Sequence, residues 1–355
     1  MYYSITQKRS TRYVLFSLAW AFAGMMDAAD RRRVGTRMAE LSANVPPGTA
    51  RGEILEYLLV DGPQKSSRDR QVWAHGDTLC SHWRYQEAAD AARAEGGKII
   101  VPTARACALE ALFLLLAHTQ TPLLIVGEEG SGRSVLAGGC LAAAERKAPD
   151  RNSWRTISLF PSSSGQFLQG MIQRTVRRRH GRSYAPPGGK RLSLLIDDVN
   201  APSPDQFGDQ PAAEVMRDLL GQRGFYSRSI PGERTVIEDM HILATAVCTR
   251  QMGREMPARF RRHWFVANLS PISQKALAGI FAPLVEGRSR AFHSASGDAL
   301  DALAAAVPAA VEAVTAAGRD LHTLARVPPS PPPRTKWTRR VPHPVLIGHA
   351  ASLTP

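Results

Sequence analysis

The sequence has few cysteines, few lysines and no long apolar run, and each shortage excludes a class of protein. Its four cysteines are 27, 33 and 108 residues apart and form no CxxC pair or Cys/His cluster, so neither a disulfide framework nor a zinc site is expected. The longest early apolar run, Tyr13 to Met26, is too short to span a bilayer. With 44% hydrophobic and 21% charged residues among 355, the composition is that of a globular protein with one large domain or two smaller ones.

The early apolar run allows two interpretations. Basic residues precede it at Lys8, Arg9 and Arg12, as in a secretory signal. The alternative is a buried amphipathic helix from Thr11 to Leu41, whose second half turns several arginines toward solvent. The helix is the favoured prediction, because no A-x-A cleavage site precedes the polar stretch.

Basic residues outnumber acidic ones, 45 against 31, which gives a formal charge of +14. Such a surplus points to a polyanionic partner, either a nucleotide or a nucleic acid. Only seven of the 45 are lysines, and an arginine surplus beside abundant alanine is also typical of coding bias. Clusters such as Arg177, Arg178 and Arg179 accompany no nucleic-acid recognition motif, so nucleic-acid binding is the weaker hypothesis.

From Lys98 onward, predicted strands alternate with predicted helices. After a short strand or extended entry at Lys98 to Thr103, the order is helix Ala104 to His118, strand Pro122 to Val126, a glycine-rich turn and a helix, strand Trp154 to Phe160, helix Ser164 to Arg179, strand Leu192 to Ile196, helix Ala212 to Gly221, and strands His241 to Val247 and Trp264 to Leu269. This alternation indicates an α/β fold with a parallel sheet covered by helices on both faces. Phosphate sites in such sheets lie at the carboxyl ends of the strands.

A glycine-rich segment follows the predicted strand Pro122 to Val126 and matches the phosphate-loop pattern G-x-x-x-x-G-K-[ST], except that arginine replaces lysine. Its candidate nucleotide-binding residues are Gly127, Gly130, Ser131, Gly132, Arg133 and Ser134. Backbone N–H groups of such a loop, together with the positive end of the next helix, hold phosphate. The Ser134 hydroxyl is placed to ligate Mg²⁺, whereas the wide guanidinium of Arg133 crowds the phosphates it should neutralise.

Two carboxylates, Asp197 and Asp198, end the predicted strand Leu192 to Ile196. Asp197 stands where phosphate-loop ATPases place the acid that organises Mg²⁺. Asp198 stands where hydrolysing members carry a glutamate that orients the attacking water. The aspartate is shorter by one methylene, which withdraws the carboxylate and argues against hydrolysis even if binding survives.

A basic cluster, Arg259 to His263, precedes the last predicted strand. In ring ATPases an arginine near this position reaches a neighbouring module and stabilises charge on its γ-phosphate. Arg259 and Arg262 are the candidates for this catalytic role. The alternative is a solvated basic turn.

In this order the segments resemble a dynein heavy chain, from the end of its second AAA+ module through its third. The similar segments are VLFSLAWAFAGMMD, GEILEYLLVDGPQ, VPTARA, RRRHGRSYAPPGGKRLSLLIDDVNAPSPDQFGDQPAAEVMRDLLGQRGFYS, ARFRRHWFVANL and ALAGIFAPLV, which together run from Arg12 to Val285. The I-D-D-x-N form resembles axonemal rather than cytoplasmic chains.

The resemblance implies an AAA+ P-loop NTPase core over residues 99–270, with helical lid segments. Residues 1–43 are expected to be the lid of a preceding module, 44–98 a connector, and 271–326 the lid of the core. Residues 327–355, with eight prolines, are expected to be a disordered tail. The chain is expected to be a divergent fragment, because it shows no stalk, linker or microtubule-binding segment.

The resemblance also implies a function, which is an ATP-binding module in a six-module microtubule motor. ATP or ADP with Mg²⁺ would be the ligand, held by the glycine loop and by Asp197. Neighbouring AAA+ modules would be direct partners, while intermediate chains, light chains and microtubules would be reached only through the full-length chain. The location would be the cytoplasmic cytoskeleton or the axoneme of a cilium or flagellum, and no membrane partner is expected. A non-hydrolysing structural remnant is the alternative, because Arg133 replaces the loop lysine and Ala246, Val247 and Cys248 stand where a polar sensor residue is expected.

Overall fold

The computed structural model describes residues 11–61, 71–80, 83–95, 99–226, 232–248, 256–272 and 274–289, together with 302, 306 and 309. Met1–Pro308 form one compact unit and Ala309–Pro355 a second. The predicted tail, 327–355, lies outside the described residues, as does nearly all of the alanine-rich stretch from 298 to 317. The candidate site lies in the first unit.

The amino-terminal segment is helical in two pieces. Residues 11–18 are α-helical and continue as a π-helix over Ala19–Ala23, and helix α1 spans Ala28–Leu41. The prediction of one unbroken helix from Thr11 to Leu41 was therefore wrong. Asp27 is extended and its carboxylate accepts from the N–H of Asp30, so a new helix begins there.

Arg31 fastens the amino-terminal segment to the central sheet. Its guanidinium donates to the Ala23 carbonyl at 3.0 Å, to the Ser270 hydroxyl at 3.0 Å and to the Asn268 carbonyl. The Asn268 side-chain amide donates in turn to the Met26 carbonyl at 3.2 Å. Burial lowers the pKa of Arg31 to about 10, which leaves it charged at neutral pH.

The predicted connector contains small elements. Two 3-10 turns, at Thr49–Arg51 and Glu53–Glu56, lead into an antiparallel hairpin and two short helices. These are strand β1 (Tyr57–Asp61), strand β2 (Gln71–His75), helix α2 (Gly76–Cys80) and helix α3 (Tyr85–Glu95). Residues 99–103 are irregular, and the Thr103 hydroxyl accepts from the N–H of Ala106 to cap the next helix.

The remaining elements contain the predicted strands and helices of the central sheet and, between them, four short strands that the sequence does not predict. They are α4 (Ala104–His118), β3 (Leu123–Gly127), α5 (Arg133–Lys147), β4 (Asn152–Ser158), α6 (Gly165–Thr175), β5 (Arg177–His180), β6 (Ser183–Ala185), β7 (Arg191–Asp197), α7 (Pro211–Gln222), β8 (Gly224–Tyr226), β9 (Arg234–Ile237), β10 (Met240–Val247), α8 (Ala258–Arg261), β11 (Phe265–Leu269) and α9 (Gln274–Ser289). Within the described residues, five parallel strands form the central sheet in the order β11–β3–β10–β7–β4. The predicted α/β fold with a parallel sheet is confirmed.

Strand β5 corrects one prediction. The helix expected from Ser164 to Arg179 ends at Thr175, and the basic residues that follow form an edge strand of a small sheet in the order β5–β6–β9–β8. Arg179 there pairs with Glu238 at 3.2 Å and with Asp239 at 3.0 Å. The extended backbone places the guanidinium of Arg179 within reach of both carboxylates.

Each face of the central sheet buries its own apolar cluster. In β3, Leu123 and Ile125 face one cluster and Leu124 faces the other, as the two-residue period of a strand requires. Helices α4 and α5 cover the first face, together with Trp20 from the amino-terminal segment, while α6 and α7 cover the second. None of the described helices combines the length and apolarity needed to cross a bilayer.

Candidate phosphate-binding site

The glycine loop connects the carboxyl end of β3 to the first turn of α5. Gly130 has φ +76° and Gly132 has φ +79°, a region that L side chains rarely adopt. A Cβ built at either glycine meets no atom within 4 Å, so free space lies beside the backbone at both positions. The loop therefore combines the bend and the open approach that a phosphate group requires.

The first turn of α5 and a buried hydroxyl complete this surface. Gly132 is the N-cap residue, and no side chain caps the helix. The first N–H groups of α5 and the positive end of its dipole therefore have no acceptor from the N-cap residue, which favours the binding of an anion there. The Ser131 hydroxyl is buried and has no hydrogen-bond partner among the described residues. These features fit a nucleotide phosphate.

Arg133, which replaces the loop lysine, folds back over the loop. Its guanidinium donates to the carbonyls of Gly127 at 3.1 Å and Glu128 at 3.0 Å. It also donates to the Asp198 carboxylate at 2.9 Å, and the Arg133 side chain is only 11% exposed. The positive charge of Arg133 is thus paired with the Asp198 carboxylate of the same chain.

Thr245 orders the two aspartates. Its hydroxyl donates to Asp197 Oδ1 at 2.5 Å and accepts the backbone N–H of Asp198 at 2.9 Å. Thr245 is completely buried in β10, which lies between β3 and β7. The Asp198 backbone is held at φ +54°, an uncommon conformation for a residue with a side chain.

Thr245 and Asn200 have roles that sequence reasoning did not assign. The sequence places Ala246, Val247 and Cys248 where a polar sensor residue is expected, with Thr245 and Thr249 nearby, and of these two threonines the structure describes Thr245, which supplies a hydroxyl two residues before β10 ends. Asn200 donates to the Val247 carbonyl at 2.9 Å and accepts the Val247 N–H at 3.1 Å. The detectable signals were a threonine inside an apolar run and an asparagine just after the aspartate pair.

Ser134 and Asp197 are the oxygen donors that fit Mg²⁺ at this edge. Ser134 is half-buried at the start of α5, and Asp197 is the last residue of β7. Mg²⁺ commonly takes one or two protein oxygens and keeps several waters, so two donors suffice. The described residues contain no group of three or more His, Cys, Asp or Glu side chains that could hold a metal ion.

The glycine loop, Arg133 and Asp198 together form what we call the phosphate cradle. The two predicted catalytic arginines, Arg259 and Arg262, lie outside it. Arg259 is 56% exposed and pairs with Glu214 at 3.0 Å. Arg262 donates to the His263 ring at 3.3 Å and lies three residues before the amino end of β11, which begins at Phe265. Because β11 runs parallel to β3, that end of the strand is opposite to the one beside the glycine loop. The structure thus brings the glycine loop, Asp198 and Arg133 together but leaves Arg262 apart from them.

The parallel sheet, the glycine loop after β3 and the aspartates after β7 define an α/β AAA+ P-loop core. A family model described as the P-loop containing dynein motor region matches residues 90–272, which is half of the chain. The chain belongs to this family.

Curated relatives are axonemal dynein heavy chains. The chain is 26% identical over 302 residues to dynein axonemal heavy chain 5 of Rattus norvegicus, and the match covers 84% of this chain and 8% of the relative. It is 25% identical over 278 residues to the flagellar outer arm dynein gamma chain of Chlamydomonas reinhardtii, covering 78% and 6%. It is 24% identical over 271 residues to human dynein axonemal heavy chain 8, covering 75% and 6%. The chain thus spans less than a tenth of these relatives' length.

Proposed function

We propose that this AAA+ module of a dynein heavy chain binds ATP or ADP with Mg²⁺ as a regulatory ligand and does not hydrolyse ATP effectively. The observation that carries the proposal is the ion pair between Arg133 and Asp198, which lies beside a glycine loop that is open to phosphate. Nucleotide binding depends on the glycine loop, which is open, whereas hydrolysis depends on the Asp198 carboxylate, which Arg133 engages.

Binding is supported by the backbone, which does not depend on the lost lysine. The loop at Gly130 and Gly132 offers N–H groups, and the uncapped start of α5 adds its dipole. Ser134 and Asp197 would hold Mg²⁺, which supplies positive charge against the phosphate oxygens. Arg133 would have to leave Asp198 to add its own charge to the phosphates.

Hydrolysis is opposed by the position of the Asp198 carboxylate. A general base must have a free oxygen directed at the attacking water. One oxygen of Asp198 instead accepts a charged hydrogen bond from Arg133 at 2.9 Å, and the shorter side chain also withdraws the carboxylate from the position of a glutamate. The main chain cannot readily correct this, because the Asp198 N–H is bound to Thr245.

Its relatives suggest where such a module acts. They carry the names of axonemal and flagellar dyneins, so we place this chain in a ring of AAA+ modules in an axoneme. In that ring Arg259 or Arg262 would be presented to the preceding module, and residues 1–43 would belong to that module's lid. Microtubules and accessory chains would be reached through the full-length motor.

The test is calorimetric titration of the chain with Mg·ATP and with Mg·ADP. Arg133→Lys is the diagnostic variant, because lysine restores the compact charge, and Gly170→Ala is a matched control in α6, where an added Cβ meets nothing. We expect binding by the original chain and tighter binding by Arg133→Lys, with no detectable Mg²⁺-dependent turnover in either. Silence from both proteins would identify a structural remnant, and turnover lost in Asp198→Asn would identify an active ATPase.

A further inference from the structure

Two cysteines that are far apart in the sequence meet in the structure. The Sγ atoms of Cys80, at the end of α2, and Cys107, in the first turns of α4, are 2.7 Å apart. Both residues are half-buried and both carry free thiols. Of the other two cysteines, Cys140 is buried and Cys248 is exposed.

A close backbone contact fixes this pair. Gly76 begins α2, and a Cβ there would collide with the backbone of Ala104 at the start of α4. Only glycine allows the two helices to approach so closely. Cys80 lies one turn after Gly76, and Cys107 lies one turn after Ala104, so the contact brings the two thiols to the same level.

We propose that Cys80 and Cys107 are a modification site, at which a low-molecular-weight disulfide such as oxidised glutathione converts the two thiols into an intramolecular disulfide. The Cys107 thiolate attacks one glutathione sulfur and expels the other glutathione as a thiolate. The Cys80 thiolate then attacks Sγ of Cys107 and expels the second glutathione. Two protein thiols are oxidised and one glutathione disulfide is reduced to two thiols, which take up both protons.

The surroundings of the pair decide how fast it reacts. Burial raises the pKa of Cys80 to about 12, and burial also raises the pKa of Cys107. The hydrogen bond from Cys80 partly opposes the shift of Cys107, so Cys107 is the first nucleophile. Since only thiolates attack disulfides, oxidation is slow at neutral pH and accelerates as pH rises.

A disulfide here would join the connector to the core. Helix α2 follows the hairpin β1–β2, whereas α4 leads into β3 and the glycine loop. The bond would close a loop between residues that are 27 positions apart, which reduces the freedom of the unfolded chain. Oxidation should therefore raise the unfolding temperature by several degrees.

The experiment treats the full chain with oxidised glutathione at about pH 9.5, above the ordinary thiol pKa of about 8.5, because both cysteines have raised pKa values and form thiolates later than free thiols do. Thiol titration counts the free cysteines, and mass spectrometry of unreduced peptides identifies the linked pair. Cys107→Ser and Cys248→Ser are matched variants, and the original chain in urea shows the pairing of an unfolded chain. Thermal unfolding is followed before and after treatment with dithiothreitol.

We expect two thiols to be lost, a single Cys80–Cys107 peptide, and a raised unfolding temperature that dithiothreitol reverses. Cys248→Ser should behave like the original chain, whereas Cys107→Ser should form no internal link. The proposal is overturned if the native chain gives the same mixture of pairs as the chain in urea. It is equally overturned if Cys80 or Cys107 retains glutathione without forming the link, or if both thiols stay free.

Discussion

Replacing Asp198 by asparagine should tighten nucleotide binding. In the original chain the Arg133 guanidinium is bound to the Asp198 carboxylate at 2.9 Å and must leave it to reach a phosphate. Asparagine keeps the size and the hydrogen-bonding oxygen but removes the negative charge. Arg133 is then held by a weaker, uncharged bond, and one negative charge beside the phosphates is gone.

The expected gain follows from the exposure of the pair. A hydrogen bond between charged groups contributes about 1.5–3 kcal/mol when it is sheltered. The Arg133 side chain is 11% exposed but the Asp198 side chain is 38% exposed, so water screens part of this attraction. We take about 1–2 kcal/mol, which corresponds to roughly a 5- to 30-fold lower Kd for Mg·ATP and Mg·ADP.

Calorimetry on the original chain, Asp198→Asn, Arg133→Met and the double variant measures this coupling. The gain from Asp198→Asn should be much smaller when Arg133 is absent, because there is no ion pair left to break. Asp209→Asn, which removes an exposed carboxylate outside the cradle, should leave the Kd unchanged. An equal gain with and without Arg133 would refute the reasoning, and so would weaker binding by Asp198→Asn.

Three further outcomes test stability rather than binding. Thr245→Val should lower the free energy of unfolding by about 1–2 kcal/mol in urea titrations, because the partly buried Asp197 carboxylate and Asp198 N–H both lose a partner. Burial lowers the pKa of His241, so the folded chain binds a proton at this ring less readily than the unfolded chain does. The free energy of unfolding should therefore fall as pH drops below about 6.5. Thermal unfolding of His241→Gln should lack this loss. Gly35→Ala should destabilise the chain, because its Cβ meets the Thr49 carbonyl, whereas Gly170→Ala, with open space around it, should be neutral or slightly stabilising in the same denaturation assay.

Much of the fold could be predicted because local pattern and tertiary structure agree. The helix predicted from Ala104 to His118 has those bounds in the structure, since Thr103 caps its start and apolar residues recur at helical spacing. Strands β3 and β7 were recognisable as short apolar runs that are buried on both faces.

The failures arose where a non-local partner decides the conformation. The basic residues after Thr175 have a helical continuation in the sequence pattern, but strand pairing and two carboxylates that directly follow β9 hold Arg179 in a strand. The interruption after Ala23 was missed because the contacts of the new helix with Asn268 and Ser270 join residues more than 230 positions apart, which a local pattern does not reveal.

The proximity of the glycine loop and the aspartates could be predicted from the sequence, but the direction of the Arg133 side chain could not. Sequence spacing predicts that the glycine loop and the aspartates meet at one edge of a parallel sheet. It does not predict that Arg133 turns toward Asp198, because a side-chain direction depends on the competition between acceptors in space. The role of Thr245 was hidden for the same reason, since its two partners belong to another strand.

The hydrogen bonds of Arg31 and Asn268 have a mechanical consequence. Asn268 belongs to β11, which pairs with β3 up to the level of Gly127, so the amino-terminal segment is bonded to the strand beside the strand that leads into the glycine loop. A displacement of residues 11–41 relative to the sheet would therefore have to break the hydrogen bonds of Arg31 and Asn268 or carry β11 with it.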